Sequence, residues 1–193
     1  MKQLVVATSN PGKIREMEEY LTDLDIVLTL KPPEIEIEET GITYGENACL
    51  KASQTALALG NWAIADDSGL AVRALDGAPG IYSARYGKTD AERIARLLKE
   101  LGDSSDRYAE FSCAIAISDP TGSIVLETEG ICPGEILTAP SGEGGFGYDP
   151  IFYVPQWKQT FAEMPAARKK LISHRGLAFE KLLPKLKLLD TNS

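Results

Sequence analysis

The run "AEFSCAIAISDPTGSIVLETEGICPGEI" (residues 109–136) decides how this chain is read as a fold. Two long stretches rich in strand-forming residues flank "DPTG" (119–122), where Asp, Pro and Gly together favour a tight turn. The spacing predicts a long hairpin, strands 109–118 and 123–136. Working outward, "DAERIARLLKEL" (90–101) reads as a helix stopped by Gly102. On the other side follow a glycine-rich loop, "SGEGGFGYDP" (141–150), and a short strand, "IFYVP". The helix "SHRGLAFEKLL" (173–183) comes next, led by Ser173, with Pro184 expected to interrupt or restart it.

The N-terminal part alternates strand and helix. "QLVVAT" (3–8) is an apolar strand and "SNPG" a turn, and "KIREMEEYL" (13–21) carries Ile14, Met17 and Leu21 at helical spacing. Asn10 is placed to cap that helix and Pro11 suits its first position. "EIEIEE" (34–39) alternates strictly, which predicts a strand with one wet face. "GENACLKASQTALALG" (45–60) reads as a helix ended by Gly60, and "WAIAD" (62–66) as a strand. A long central hairpin with helices on both sides predicts an α/β fold, one elongated mixed β-sheet whose helices form two lobes. The whole chain, 1–193, is expected to be a single two-lobed domain.

Composition narrows the function. The 193 residues carry 28 Asp+Glu against 20 Lys+Arg, a formal net charge of −8. That field repels polyanions, so nucleic acid is not an expected partner, whereas a small anion remains possible at a local cation cluster. The three cysteines (Cys49, Cys113, Cys132) show neither CxxC nor Cys/His spacing and read as reduced core thiols. No stretch approaches the ~20 apolar residues of a membrane span, and the start "MKQLVVATSN" is too short in apolar residues for a signal peptide. A cytoplasmic protein without a membrane partner is expected.

Several short stretches can carry chemistry. In "TSNPGK" (8–13) a strand, a tight turn and a helix start aim backbone N–H groups at one spot, with Lys13 one turn in: an anion site. It is no Walker A loop, because Ala7 replaces the first glycine and Ile14 follows the lysine. Lys51, four residues after Asn47, either projects toward a phosphate or snorkels to water. Two acid pairs, Glu38-Glu39 and Asp66-Asp67, are expected at strand ends. Magnesium takes one or two protein carboxylates and leaves its other positions to water and phosphate oxygens, so one acid from each pair would suffice. Side chains alternate along a strand, so Asp66 and Asp67 should face opposite ways; spacing alone does not say which is the general base.

In "GEGGFGYDP" (142–150), glycines let a backbone approach a ligand, an aromatic can stack on a flat base, and Asp149 can accept hydrogen bonds from ring N–H groups. "RKKLISHRG" (168–176) holds the sole histidine, His174, beside Arg175 and after Lys169-Lys170, a donor cluster without a nucleophile. An anion-binding turn, extra cations, a magnesium-type acid set, an aromatic loop and a donor cluster are the parts of a nucleoside triphosphate site.

The order of "TSNPGK", "EETG", "ENACLKA", "ADDSGLAV", "GAPGIYSARY", "GGFGYDPIF" and "SHRG" resembles the noncanonical purine nucleoside triphosphate pyrophosphatases, the inosine/xanthosine triphosphate pyrophosphatase (Ham1-like) family, from about Leu4 to Leu183. The resemblance implies an active cleft between two lobes, a homodimer, and Mg²⁺-dependent hydrolysis of ITP, dITP and XTP to monophosphate and pyrophosphate. It also implies roles. Thr8, Ser9, Asn10, Pro11, Gly12 and Lys13 would hold the triphosphate with Lys51. Glu38 and Asp67 would serve the metal, Asp67 also being the general base, and Ser68 would contact substrate. Phe146, Gly147, Tyr148, Asp149, Lys169, His174 and Arg175 would read the base. Donors at His174 and Arg175 favour a 6-oxo purine; an adenine amino group would leave them unpaired at ~1–3 kcal/mol each. A pyrophosphatase for modified pyrimidine or 7-methyl-purine triphosphates and a non-catalytic nucleotide sensor are the competing expectations.

Overall fold

The computed structural model describes residues 3–191. In chain order the strands are β1 (Gln3–Val6), β2 (Val27–Leu30), β3 (Ala63–Val72), β4 (Tyr108–Ser118), β5 (Ile124–Ile136), β6 (Phe152–Val154) and β7 (Gln159–Thr160). The α-helices are α1 (Pro11–Leu21), α2 (Tyr44–Leu59), α3 (Asp90–Leu101), α4 (Ala166–Ile172) and α5 (His174–Thr191), with two 3₁₀ turns at Arg73–Leu75 and Gly80–Arg85. The strands form one mixed sheet in the order β2-β1-β3-β4-β5-β6-β7. β1 lies parallel to both β2 and β3, while β6 is antiparallel to β5 and β7. The expected α/β class and mixed sheet are therefore present.

Two compact units divide the chain. The first takes residues up to Asp67, Cys113–Gly130 and the chain from Arg175 onward; the second takes Ser68–Ser112 and Ile131–His174. In the first unit the pleat sorts residues by size. Leu4, Val6, Ile64, Cys113, Ile115 and Ile117 share one sheet face and pack with Met17, Tyr20 and Leu21 of α1 and Ala178, Phe179, Leu182 and Leu186 of α5. The alternate residues Ala7, Ala65, Ala114 and Ala116 face the other way and meet Ala48 and Ala52 of α2. With methyls on both sides, α2 backbone comes close to the sheet, which brings its polar side chains within reach of the strand acids. The second unit is built on Leu70, Val72, Leu97, Leu101, Phe111, Phe152 and Phe161, the phenylalanines meeting at ring distances of 4.6–5.8 Å.

Local signals placed most elements well. Asn10 caps α1, its Oδ1 accepting from Gly12 N at 2.9 Å and Lys13 N at 3.3 Å. Gly60 ends α2 at φ +59°, the left-handed conformation glycine adopts without cost. Three expectations need correction. Residues 34–39 form no strand: the alternation survives in burial, Ile35, Ile37 and Glu39 partly covered and Glu34, Glu36 and Glu38 exposed, but among the described residues no neighbouring strand supplies a ladder. β3 does not stop at Asp66; it runs on to Val72 because Leu70 and Val72 still have core to enter. Pro184 neither ends nor restarts α5. Leu182 and Leu186 are both fully buried on either side of it, and this packing offsets the hydrogen bond that proline cannot donate. Finally β2, β7 and α4 arise where the sequence showed no clear signal.

Candidate active site

In the first unit, β3 carries two adjacent acids and the pleat sends them to opposite faces. Asp66 follows Ile64 to the α1/α5 face. Its Oδ2 accepts from Lys13 Nζ at 3.0 Å and from Arg175 Nη2 at 2.8 Å, with no exposed surface. Arg175 Nη1 also reaches Glu16 Oε2 of α1 at 2.5 Å. Burial by itself would raise the Asp66 carboxyl, but Lys13 and Arg175 hold it well below the usual aspartate range. Asp66 is thus a charged counter-ion whose Oδ2 is shared by two cations.

Asp67 follows Ala65 to the α2 face. Lys51 Nζ meets its Oδ1 at 3.1 Å and Asn47 Nδ2 meets its Oδ2 at 3.2 Å, so two α2 residues one turn apart grip both oxygens. Asn47 also accepts from Gly41 N at 2.8 Å, and Lys51 binds Glu39 Oε1 at 2.7 Å. A Cβ at Gly41 would lie 2.7 Å from Asn47 Oδ1, so glycine there is what lets the acidic segment 38–41 close on α2. Burial raises the Asp67 carboxyl above its ordinary value, Lys51 and Lys13 opposing it and Glu39 adding to it. For Lys51 burial works against the charge, yet Asp67, Asp66 and Glu39 raise it and keep it an ammonium. Asp67 is therefore a more basic carboxylate than a solvated aspartate, beside fixed positive charge.

Of the expected phosphate-binding residues, Thr8 is half-buried, Ser9, Asn10 and Pro11 are exposed, and Gly12 is buried at the start of α1. Thr8 Oγ1 accepts from Asn10 N at 3.3 Å. Because Asn10 already takes the Gly12 and Lys13 N–H groups, an anion arriving there competes with a side-chain cap as well as with Asp66 for Lys13. Glu38 is exposed, and its neighbour Glu39 is the acid brought to Lys51. Ser68 follows Asp67 on β3 and is half-buried.

In the second unit, the loop 141–150 turns through Gly142, Gly145 and Gly147, all at positive φ. Asp149, 3% exposed, accepts from Phe146 N at 2.8 Å and from Lys169 Nζ at 2.7 Å. Lys169 Nζ also lies 4.9 Å from the Phe146 ring centre. Tyr148 is buried and donates its hydroxyl to Ser83 O at 2.9 Å, so its ring is a packing element of this unit. His174 stacks on Phe111 at 4.6 Å and 10°. A Cβ at Gly145 would sit 2.0 Å from Asp149 Oδ2, at φ +73°. Gly145→Ala should therefore displace the Asp149 carboxylate and cost about 1–3 kcal/mol, read as a lower Tm by calorimetry; an unchanged Tm would refute the cramped turn.

Sequence reasoning found both acid pairs, Glu39 among them, but did not pair Glu39 with Lys51 and missed Asn47 and Glu16 as partners. Asn47 was legible as the residue one turn before Lys51; the other two are brought in by chain folding. Arg175 was expected at the base, and its guanidinium lies between Asp66 and Glu16, 1% exposed. All three cysteines are free, and burial pushes the Cys113 and Cys132 thiols up to about 12. Among the described residues no helix is long and apolar enough to cross a membrane.

Known proteins are similar to this chain over nearly its whole length. A Nostoc sp. protein described as a dITP/XTP pyrophosphatase is 64% identical over 192 residues, covering 100% of this chain and 98% of that one. The structure of a HAM1 protein from Coxiella burnetii superposes with a TM-score of 0.87 at 46% identity, over 97% of this chain and 99% of that one. That of the Staphylococcus aureus Ham1 protein gives 0.86 at 43%, over 96% and 98%. The Ham1 family profile matches residues 4–185, the whole span over which the motifs run, and the chain belongs to the Ham1 family.

Proposed function

We propose that this protein hydrolyses noncanonical purine nucleoside triphosphates (ITP, dITP and XTP) to the monophosphate and pyrophosphate, cleansing the nucleotide pool. The observation that carries the reading is the buried Asp67 carboxylate, raised by burial and held by Lys51 and Asn47. The activity named for the 64% identical relative supports it.

In this reading Asp67 takes a proton from water as its oxygen attacks the α-phosphorus, and the bond from that phosphorus to the departing pyrophosphate breaks. Lys51 and Lys13 neutralise phosphate charge. Lys13 leaves Asp66 for the phosphates without stranding that acid, since Arg175 remains on it. Thr8 to Gly12 present the turn to the triphosphate, and Ser68 contacts substrate beside Asp67. A divalent cation fits the donor set: Glu39 and Asp67 both bring a carboxylate to Lys51, and carboxylate oxygens are the donors a hard cation takes. Mg²⁺ needs only one or two such ligands. Asp67 with the Glu38-Glu39 pair would hold it, and when bound it supplies charge neutralisation on the phosphates. In the second unit we assign Phe146, Gly147, Tyr148, Asp149, Lys169 and His174 to the purine, Phe146 by stacking, Asp149, Lys169 and His174 by polar contacts, and Gly147 and Tyr148 by fixing the turn. Arg175 we assign to orienting Asp66. We further propose that residues 1–193 act as one domain of a cytoplasmic homodimer.

The test is incubation with Mg²⁺ and ITP, XTP, dITP, GTP or ATP, followed by identification of the phosphate product. Pyrophosphate from ITP and XTP with little turnover of ATP is expected. Orthophosphate as first product would place attack on the γ-phosphorus and overturn the mechanism.

A further inference from the structure

The turn 146–149 is fixed residue by residue, and each tie comes from a different place. Phe146 N is held by Asp149, itself buried, and Tyr148 OH by Ser83 O in a buried tie. Gly147 N is different: it donates to Asp90 Oδ2, at 2.8 Å, from the first turn of α3. Gly147 stands at φ +63° with open space where a Cβ would be, so the backbone conformation and this one hydrogen bond, not crowding, define its position.

Asp90 is itself oriented. Its Oδ1 accepts from Arg93 Nη1 at 2.6 Å, and Arg93 Nε donates to Gly87 O at 3.0 Å. A Cβ at Gly87 would lie 2.8 Å from Arg93 N, so glycine is required for that approach. Gly87, Arg93, Asp90 and Gly147 therefore form a continuous chain of hydrogen bonds that sets both oxygens of one carboxylate. An exposed ion pair alone contributes little, but here the charged acceptor is spent on a backbone N–H of the turn.

We infer that Asp90, oriented by Arg93, is a positioning residue that sets purine affinity and selectivity through Gly147. This rests on the proposed assignment of 146–149 to the base. Asp90 bonds to Arg93 and Gly147, neither of them a phosphate or metal residue, so its effect falls on base binding. Removing it frees the turn, and the substrate must then order it, which lowers affinity without altering the reacting groups.

The experiment measures kcat and KM for ITP and ATP in wild type, Asp90→Ala, Asp90→Asn, Arg93→Ala and Phe146→Ala. Arg73→Ala, which breaks an exposed pair with Asp106 in the same unit, is the control. Asp90→Ala should raise KM for ITP about 5- to 10-fold with kcat within about twofold, and narrow the ITP/ATP preference. Asp90→Asn keeps an oxygen acceptor for Gly147 and should recover most of the lost affinity; Arg93→Ala should fall between, and Arg73→Ala should match wild type. A purely structural role would lower Tm and kcat together and leave the KM ratio alone, which would overturn the inference. If Phe146→Ala collapses the ITP/ATP preference while Asp90→Ala does not, the positioning role fails and the base assignment stands. If neither moves it, the base assignment itself fails.

Discussion

Asp67→Asn is expected to lower kcat on ITP by about 10²–10⁴-fold while the protein stays folded. Asparagine keeps the shape and still offers an oxygen to Lys51, yet it cannot accept a proton from water. The loss should therefore appear in kcat more than in KM. Lys51 would lose one of its two acids but keep Glu39, at 2.7 Å, so the local charge balance changes modestly. Steady-state kinetics with circular dichroism checks this. Retained turnover in a folded Asp67→Asn protein would move the general base elsewhere, and Asp66 is a poor candidate because Lys13 and Arg175 already hold its Oδ2.

Asp66→Asn should have the largest effect on stability, about 3–5 kcal/mol, because it strips the negative charge from a fully buried site holding Lys13 and Arg175. Glu16 would remain the acid on Arg175. The pH dependence has a definite sign. With its folded-state carboxyl held far below the unfolded value, Asp66 stabilises the fold fully above about pH 4 and loses that contribution as pH falls below it. Urea unfolding at pH 7 and pH 3.5 should show the wild-type advantage over Asp66→Asn shrinking at the lower pH. An equal advantage at both pH values would mean the carboxylate is not held by those cations.

Together the two variants separate neighbours that differ only in the face they occupy. One belongs to the α2 side with Asn47 and Lys51, the other to the α1/α5 side with Lys13 and Arg175. The same strand therefore supplies a reactive acid and a structural one from consecutive positions.

What the sequence determined by itself was whatever closes within a few residues. Asn10 bonds backbone two and three positions on, Gly60 takes its own left-handed φ, and "DPTG" folds on Asp119, whose carboxylate accepts from Thr121 N at 2.8 Å. Alternation likewise required Asp66 and Asp67 to part, whatever lay on either side. Only the tertiary structure decided which partners each acid met, since α2, α1 and α5 approach from distant positions in the chain. It also decided that Glu39 and not Glu38 reaches Lys51, that Arg175 is enclosed by acids, and that 34–39 finds no strand to pair with. Helix caps and turns are satisfied by the nearest backbone, whereas ladders and buried ion pairs exist only once remote segments have been packed together.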